Sequence, residues 1–292
     1  MEIKNIWTGF ILLSLVILTA MSGRAAELYT TPNGTGDCST GNPCNLQTAL
    51  NTAGTNGQDD TIHLSAGTYD ASGGTFIYDP TVWNPTENYP LTIKGQGAGV
   101  SKIDGGHSKG GVYIVTQGLN NDTNAHITVE GITFQYGKTL GYGGGIRIFT
   151  ESNTMIKDCD FIGNTAGFDG GGIDVTSNHG NITYTNNRFV RNKANYGGGG
   201  AAAWSGDDIV TLTNNIFIEN TAEQGGGAYG FSRLNTIIFT NNIFSNNVAE
   251  GISEENGGGA YVSSLVGPIT VTNNTFSSNS ANNSGVIFSL TD

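Results

Sequence analysis

Few side chains in this sequence are of a type and spacing that does chemistry. Asp158, Asp160 and Asp174, with Arg147 or Lys157, are the only local set of carboxylates near a base. Such a set could hold calcium through its oxygens while the base takes up a proton. Asp158, however, stands at a bend, where a short acceptor side chain has the simpler use of capping the turn. The four histidines, His63, His107, His126 and His179, show no metal-ligand spacing. Glycine runs are frequent, but Ile or Ala follows them where a phosphate loop needs lysine, which excludes a nucleotide site. Glu254-Glu255 and Asp59-Asp60 read as solvated loop charges. No cofactor is expected, calcium being the one ion the carboxylates could take.

The elements that must position any site belong to a chain of 292 residues with 45 Gly and 33 Asn. Glycine is the poorest ordinary helix former and Asn competes with its own backbone, so the composition points away from helices and towards turn-rich β structure. Charged residues are only 12%, which excludes a solvated polyelectrolyte. The net charge of −12 makes the chain a poor ligand for nucleic acid or anionic lipid.

Residues 1–25 read as a signal peptide: Lys4, an apolar run over 10–20, then Gly23-Arg24-Ala25 before Ala26. The apolar run is too short to span a membrane comfortably, and no later stretch approaches that length. The mature chain is therefore expected to be exported, secreted or held at the cell surface or outer membrane. Cys38 and Cys44 flank a short turn and could close a small disulfide loop in an oxidising compartment, leaving Cys159 over.

A single repeat organises the rest. Phe134, Phe161, Phe189, Phe217, Phe244 and Phe276 are spaced by 27, 28, 28, 27 and 32 residues. Glycine runs beginning at Gly143, Gly170, Gly197, Gly225 and Gly257 keep step with them. Asn164, Asn192, Asn220, Asn247 and Asn279 follow the Phe column by three residues from its second member onward. Two residues ahead of it stand Cys159, Asn187, Asn215, Asn242 and Asn274. Each unit reads as short strand, Asn bend, Phe-x-x-Asn, turn, Gly-Gly-Gly, short strand. One unit buries nothing alone, so units must stack, with Phe on Phe and amide on amide inside. Cys159 then takes an Asn position as a small buried thiol.

These motifs carry a family resemblance. GGGI, GGGI, GGGGA, GGGA and GGGA, with FIGN, FVRN, FIEN, FSNN and FSSN, resemble the repeats of polymorphic outer-membrane proteins. More broadly, residues 127–288 resemble right-handed parallel β-helix proteins of the pectate-lyase-like class. The segment CNLQTALNTAGTNGQDDTIHLSAGTY, at 44–69, is similar to the cysteine-led start of many exported β-helix proteins. LTIKGQGAGVSKIDGG, at 91–106, looks like an early coil. The resemblance implies an all-β right-handed parallel β-helix over 61–292, regular from about residue 127. A capping segment at 26–60 precedes it, whose short helix presents Leu46, Ala49, Leu50 and Ala53 behind the N-cap Asn45. The C-terminal end reads as uncapped or truncated.

For activity the resemblance implies little, because one scaffold carries lyases, hydrolases, adhesins and spacers. Pectate lyases need a calcium-carboxylate cluster, which only Asp158, Asp160 and Asp174 with Arg147 imitate. Polygalacturonase-like motifs are matched by Asp207-Asp208, Asn178-His179-Gly180 and Arg147-Ile148-Phe149, but in reverse order and with the first two in loops. They read as coincidence. Five Asn-x-Ser/Thr sites, at Asn33, Asn121, Asn181, Asn273 and Asn282, are expected from composition alone.

The strand after each glycine run gives a stronger candidate. If Ile146/Ile148, Ile173/Val175, Ala201/Ala203, Ala228/Gly230 and Ala260/Val262 point inward, then Phe149, Trp204, Tyr229, Phe231 and Tyr261 point outward. They would form an aromatic strip with about 4.8 Å between coils. Such a strip suits sugar rings or a protein face. The expected function is thus an exported, non-catalytic, adhesin-like protein that binds a glycan or a surface partner. A polysaccharide lyase, hydrolase or epimerase is the alternative, and a structural spacer the third reading.

Overall fold

The computed structural model describes residues 25–118, 124–251, 256–282 and 287–291. Most of the segment read as a signal peptide, Asn121 and the Glu254-Glu255 pair lie outside them. The chain winds as a parallel β-solenoid of about eight turns, whose strands stack into sheets of eleven, eight, six and eight. A regular coil is Thr154–Lys157 in the first sheet, Asp160–Ile162 in the second, Thr165–Ala166 in the third and Ile173–Ser177 in the fourth.

Short polar or glycine residues set the corners. Asp158, Asn186, Asn214, Asn241 and Asn273 all have φ between 55° and 58°, the left-handed conformation that Asn and Asp tolerate best. Asp158 is therefore a turn residue, and its Oδ1 accepts a hydrogen bond from Asn186 Nδ2 at 3.2 Å. The glycine runs have two separate causes. Gly170 turns the chain at φ 66°. Gly171 lies so close to the next coil that a Cβ would sit 2.2 Å from the Gly199 carbonyl oxygen.

Identical residues stack inside. Phe134, Phe161, Phe189, Phe217, Phe244 and Phe276 pair in register, with neighbouring ring centroids 4.6–5.1 Å apart. Two amide ladders flank them. Asn192 Nδ2 donates to Asn220 Oδ1 at 3.0 Å and to the Phe161 carbonyl at 2.9 Å, and its backbone N–H donates to the same Asn220 oxygen. Buried polar groups thereby satisfy one another coil by coil. Cys159 heads the other ladder, fully buried, with its N–H donating to Asn187 Oδ1 at 3.0 Å. Burial pushes its thiol up to about 12, which keeps it protonated and inert.

The solenoid starts earlier than the sequence pattern implies. Ala26–Thr30 is already a strand of the first sheet, in parallel register with Asp60–Leu64, although it lies within the expected capping segment. Helix α1, Leu46–Ala53, buries Leu46, Ala49, Leu50 and Ala53, and Asn45 Oδ1 accepts from Thr48 N–H at 2.9 Å at its N-terminus. A disulfide joins Cys38 and Cys44 in the neighbouring hairpin. At the other end Ile287–Thr291 pairs with Ala260–Ser264, as the counterpart of a glycine-run strand. Among the described residues no helix is long and apolar enough to cross a membrane.

Candidate binding groove

The fourth sheet places the candidate side chains. Its inward residues, from Ile146 and Ile148 to Ala260 and Val262, are wholly buried, which fixes the parity of the strands. Outward there are two columns in register. One runs Arg147, Asp174, Ala202, Tyr229, Tyr261; the other runs Phe149, Thr176, Trp204, Phe231, Ser263. Trp204 stacks on Phe231 at 5.6 Å and Tyr229 on Tyr261 at 5.2 Å. Phe149, Trp204, Tyr229 and Phe231 are half-buried. Tyr261 differs from expectation: stacked on Tyr229 and flanked by the Ile287–Thr291 strand, it is only 5% exposed and offers no open platform.

A wall turns this strip into a groove. Tyr142 and Phe168 stack at 5.1 Å, and Phe168 and Tyr196 at 5.6 Å, along the turns that lead into the fourth sheet. Between wall and sheet lies a cavity of about 490 Å³, lined by Tyr142, Tyr196, Trp204, Tyr229, Arg147 and Asp174 among others. A second cavity of about 340 Å³ continues past Tyr113 and Val112 and shares Tyr142 and Arg147 with the first. The sequence pattern misses this wall because its members are not in strands. The available signal was an aromatic one or two residues ahead of three successive glycine runs.

Charge is concentrated at the junction of the two cavities. The Arg147 guanidinium lies 4.4 Å over the Tyr142 ring, 5.6 Å from Tyr113 and 5.8 Å from Phe149. Its Nε is 3.8 Å from Asp174 Oδ2, and neither atom makes a hydrogen bond. Asp174 is 3% exposed. Burial pushes its carboxyl up to about 8, against the pull of Arg147 and with a smaller push from Asp169. Asp169, also in the groove, is raised by burial and steadied by the Gly197 N–H, which donates to its Oδ1 at 2.7 Å.

The carboxylate set proposed for calcium does not assemble. Asp158 caps its corner, and Asp160 lies on the second sheet, paired with Arg188 at 2.6 Å. Asp174 is on the fourth sheet with Arg147, and Lys157 pairs with Glu130 on the first. Residues that the sequence places between 147 and 174 are thus distributed over three different sheets. Among the described residues no group of three His, Cys, Asp or Glu side chains is placed to hold a metal.

The structure brings together residues that looked unrelated. His179 Nδ1 is 3.0 Å from Asp207 Oδ2, and Arg233 Nη2 is 2.7 Å from Asp207 Oδ1. Asn178 and Gln117, which line the groove, both donate to Glu151 Oε1, at 2.8 and 2.7 Å. These loops of successive coils form a polar rim. The signal that would have found such pairs is one repeat length: Arg147 and Asp174 are 27 residues apart, His179 and Asp207 28.

A parallel solenoid with one grooved, aromatic-walled face defines a class: a repeat scaffold with a groove on one of its sheets. More particularly, the chain belongs to the right-handed β-helix family, whose model, described as a right handed beta helix region, matches residues 117–291. No curated protein and no solved structure matches the chain. The match speaks to the fold. It carries neither the pectate-lyase-like nor the outer-membrane-protein likeness.

Proposed function

We propose that this chain is an exported, adhesin-like protein that holds an extended glycan along the grooved sheet without cleaving it. One observation carries the reading: half-buried Trp204 and Tyr229 form an aromatic floor facing the Tyr142–Tyr196 wall across a cavity of about 490 Å³. Flat apolar rings beside a few polar groups match the alternating C–H faces and hydroxyls of sugars. Strands about 4.8 Å apart repeat at a step comparable to one unit of an extended glycan. Export rests on the character of residues 1–25.

A glycan array with the whole chain and its Trp204→Ala/Tyr229→Ala variant tests this. Binding that falls at least tenfold in the variant supports the groove. No binding, or binding that the variant leaves unchanged, removes it. A second reading, polysaccharide cleavage, is favoured by one feature, the two burial-raised carboxyls Asp169 and Asp174 in the same groove. New reducing ends or unsaturated products on incubation with a bound glycan would replace the binding reading with that one.

A further inference from the structure

The glycan reading rests on aromatic residues, and the polar pair at the groove's centre takes it further. Arg147 Nε and Asp174 Oδ2 face each other at 3.8 Å, both buried and neither with a hydrogen-bond partner, which is unusual for a buried carboxyl beside a guanidinium. Arg147 offers only donors, and it is held in place by the rings of Tyr142, Tyr113 and Phe149. Asp174 offers an acceptor in either protonation state. The chemical group that suits both partners at once is one that accepts and donates, a hydroxyl.

Beside the pair the floor carries a small side chain. Ala202 sits between Asp174 and Tyr229 in the outward column, with Trp204 two residues along the same strand. Ala202, 3% exposed, lines the cavity beside Asp174, Trp204 and Tyr229, and its small side chain leaves the depression between those larger neighbours. We propose that this depression is a subsite for an uncharged sugar, with one hydroxyl accepting from the Arg147 guanidinium and donating to Asp174. The proposal rests on the glycan reading and names its ligand class.

Charge argues for a neutral ligand over a uronate. Among the described residues Arg147 is the one cation lining the cavity, and the lining also holds two acids, Asp174 and Asp169. A ligand carboxylate would add a third acidic group to a groove that already holds Asp169 and Asp174, with one cation to balance it. The chain's net charge of −12 opposes polyanions at longer range as well.

Calorimetric titration of the whole chain with neutral hexasaccharides (cello-, xylo-, manno- and chito-) and with hexagalacturonate tests the inference. At least one neutral hexasaccharide is expected to bind, more than tenfold tighter than hexagalacturonate. Asp174→Ala should weaken that binding at least tenfold, whereas Asp174→Asn, whose amide still donates and accepts, should retain most of it. Ala202→Leu fills the depression from the outward face with Asp174 intact, and it should abolish binding with an unchanged circular dichroism spectrum.

Tighter binding of hexagalacturonate that is lost in Trp204→Ala would keep the groove as a glycan site and overturn the neutral-sugar proposal. Neutral binding indifferent to both Asp174→Ala and Ala202→Leu would overturn the subsite alone. No binding to any of these saccharides would overturn the glycan reading and this inference with it.

Discussion

Asp174 is a carboxyl kept out of water on the face of a sheet, and that has a consequence for stability. Its folded-state value, about 8, lies above the ordinary 3.8, so the folded chain holds this proton more tightly than the unfolded one. The stabilisation is fully present below about pH 4 and is lost as pH rises through 8. Asp60 is not the solvated loop charge its sequence suggested: it opens the Asp60–Leu64 strand, 4% exposed, and, pushed up to about 7 mainly by burial, acts in the same direction over nearly the same window. The melting temperature is therefore expected to fall between pH 5 and pH 8. In Asp174→Asn/Asp60→Asn the slope should flatten. A wild-type melting temperature that stays level or rises over that range would show that these carboxyls ionise freely in the folded state. Burial acts in the same sense on Cys159, whose thiol stays protonated across the whole range and so adds nothing to the slope.

The amide ladder is the element that lets polar side chains fill a core. Asn220 makes four such bonds: its Oδ1 accepts from the Asn192 N–H and Nδ2, and its own Nδ2 donates to the Phe189 carbonyl and to Asn247 Oδ1. Asn220→Ala strips a buried N–H and a buried C=O of partners. At about 1–3 kcal/mol for each orphaned group, the expected loss is about 3 kcal/mol or more, measurable by urea denaturation. A loss below about 1 kcal/mol would mean that water replaces the amide. Elements built this way were legible in the sequence because each coil repeats the same residue at the same phase. Phe134 to Phe276, both Asn columns and the inward Ile and Ala pairs all stand where the spacing puts them. The groove was half legible. Trp204, Tyr229 and Phe231 follow from strand parity, but Tyr142, Phe168 and Tyr196 do not, because a turn has no period-2 alternation to read. The calcium set failed for a related reason. Neighbours in sequence, such as Asp160 and Asp174, fall on different sheets, while partners such as Arg147 and Asp174 stand one coil apart.

At the scale of the whole molecule, stability is a sum of coils and of the interfaces between them, because each coil packs on its neighbours and only an exposed side-chain pair such as Lys193–Glu250 reaches one coil further. The tightest interface points are the glycines. A Cβ at Gly199 would lie 2.3 Å from the Gly226 carbonyl oxygen and 2.5 Å from that of Thr221, both backbone atoms of the following coil. Neither atom can withdraw without breaking the parallel pairing of Ala201–Ser205 with Ala228–Ser232. Gly199→Ala therefore forces two coils apart in the middle of the stack, at a cost of about 1–3 kcal/mol for the overpacking alone. Gly41→Ala, with nothing within 4 Å of the added carbon, is the matched control and should be nearly neutral. In a one-dimensional stack a weakened central interface does more than lower the midpoint. It separates the coils before Gly199 from those after it, so denaturation should split into two transitions. Amide exchange should quicken first on both sides of the 199–226 contact, while the Phe134–Phe161 end stays protected. A single sharp transition, merely shifted, would mean that coupling reaches beyond nearest neighbours and that the solenoid folds as one indivisible unit.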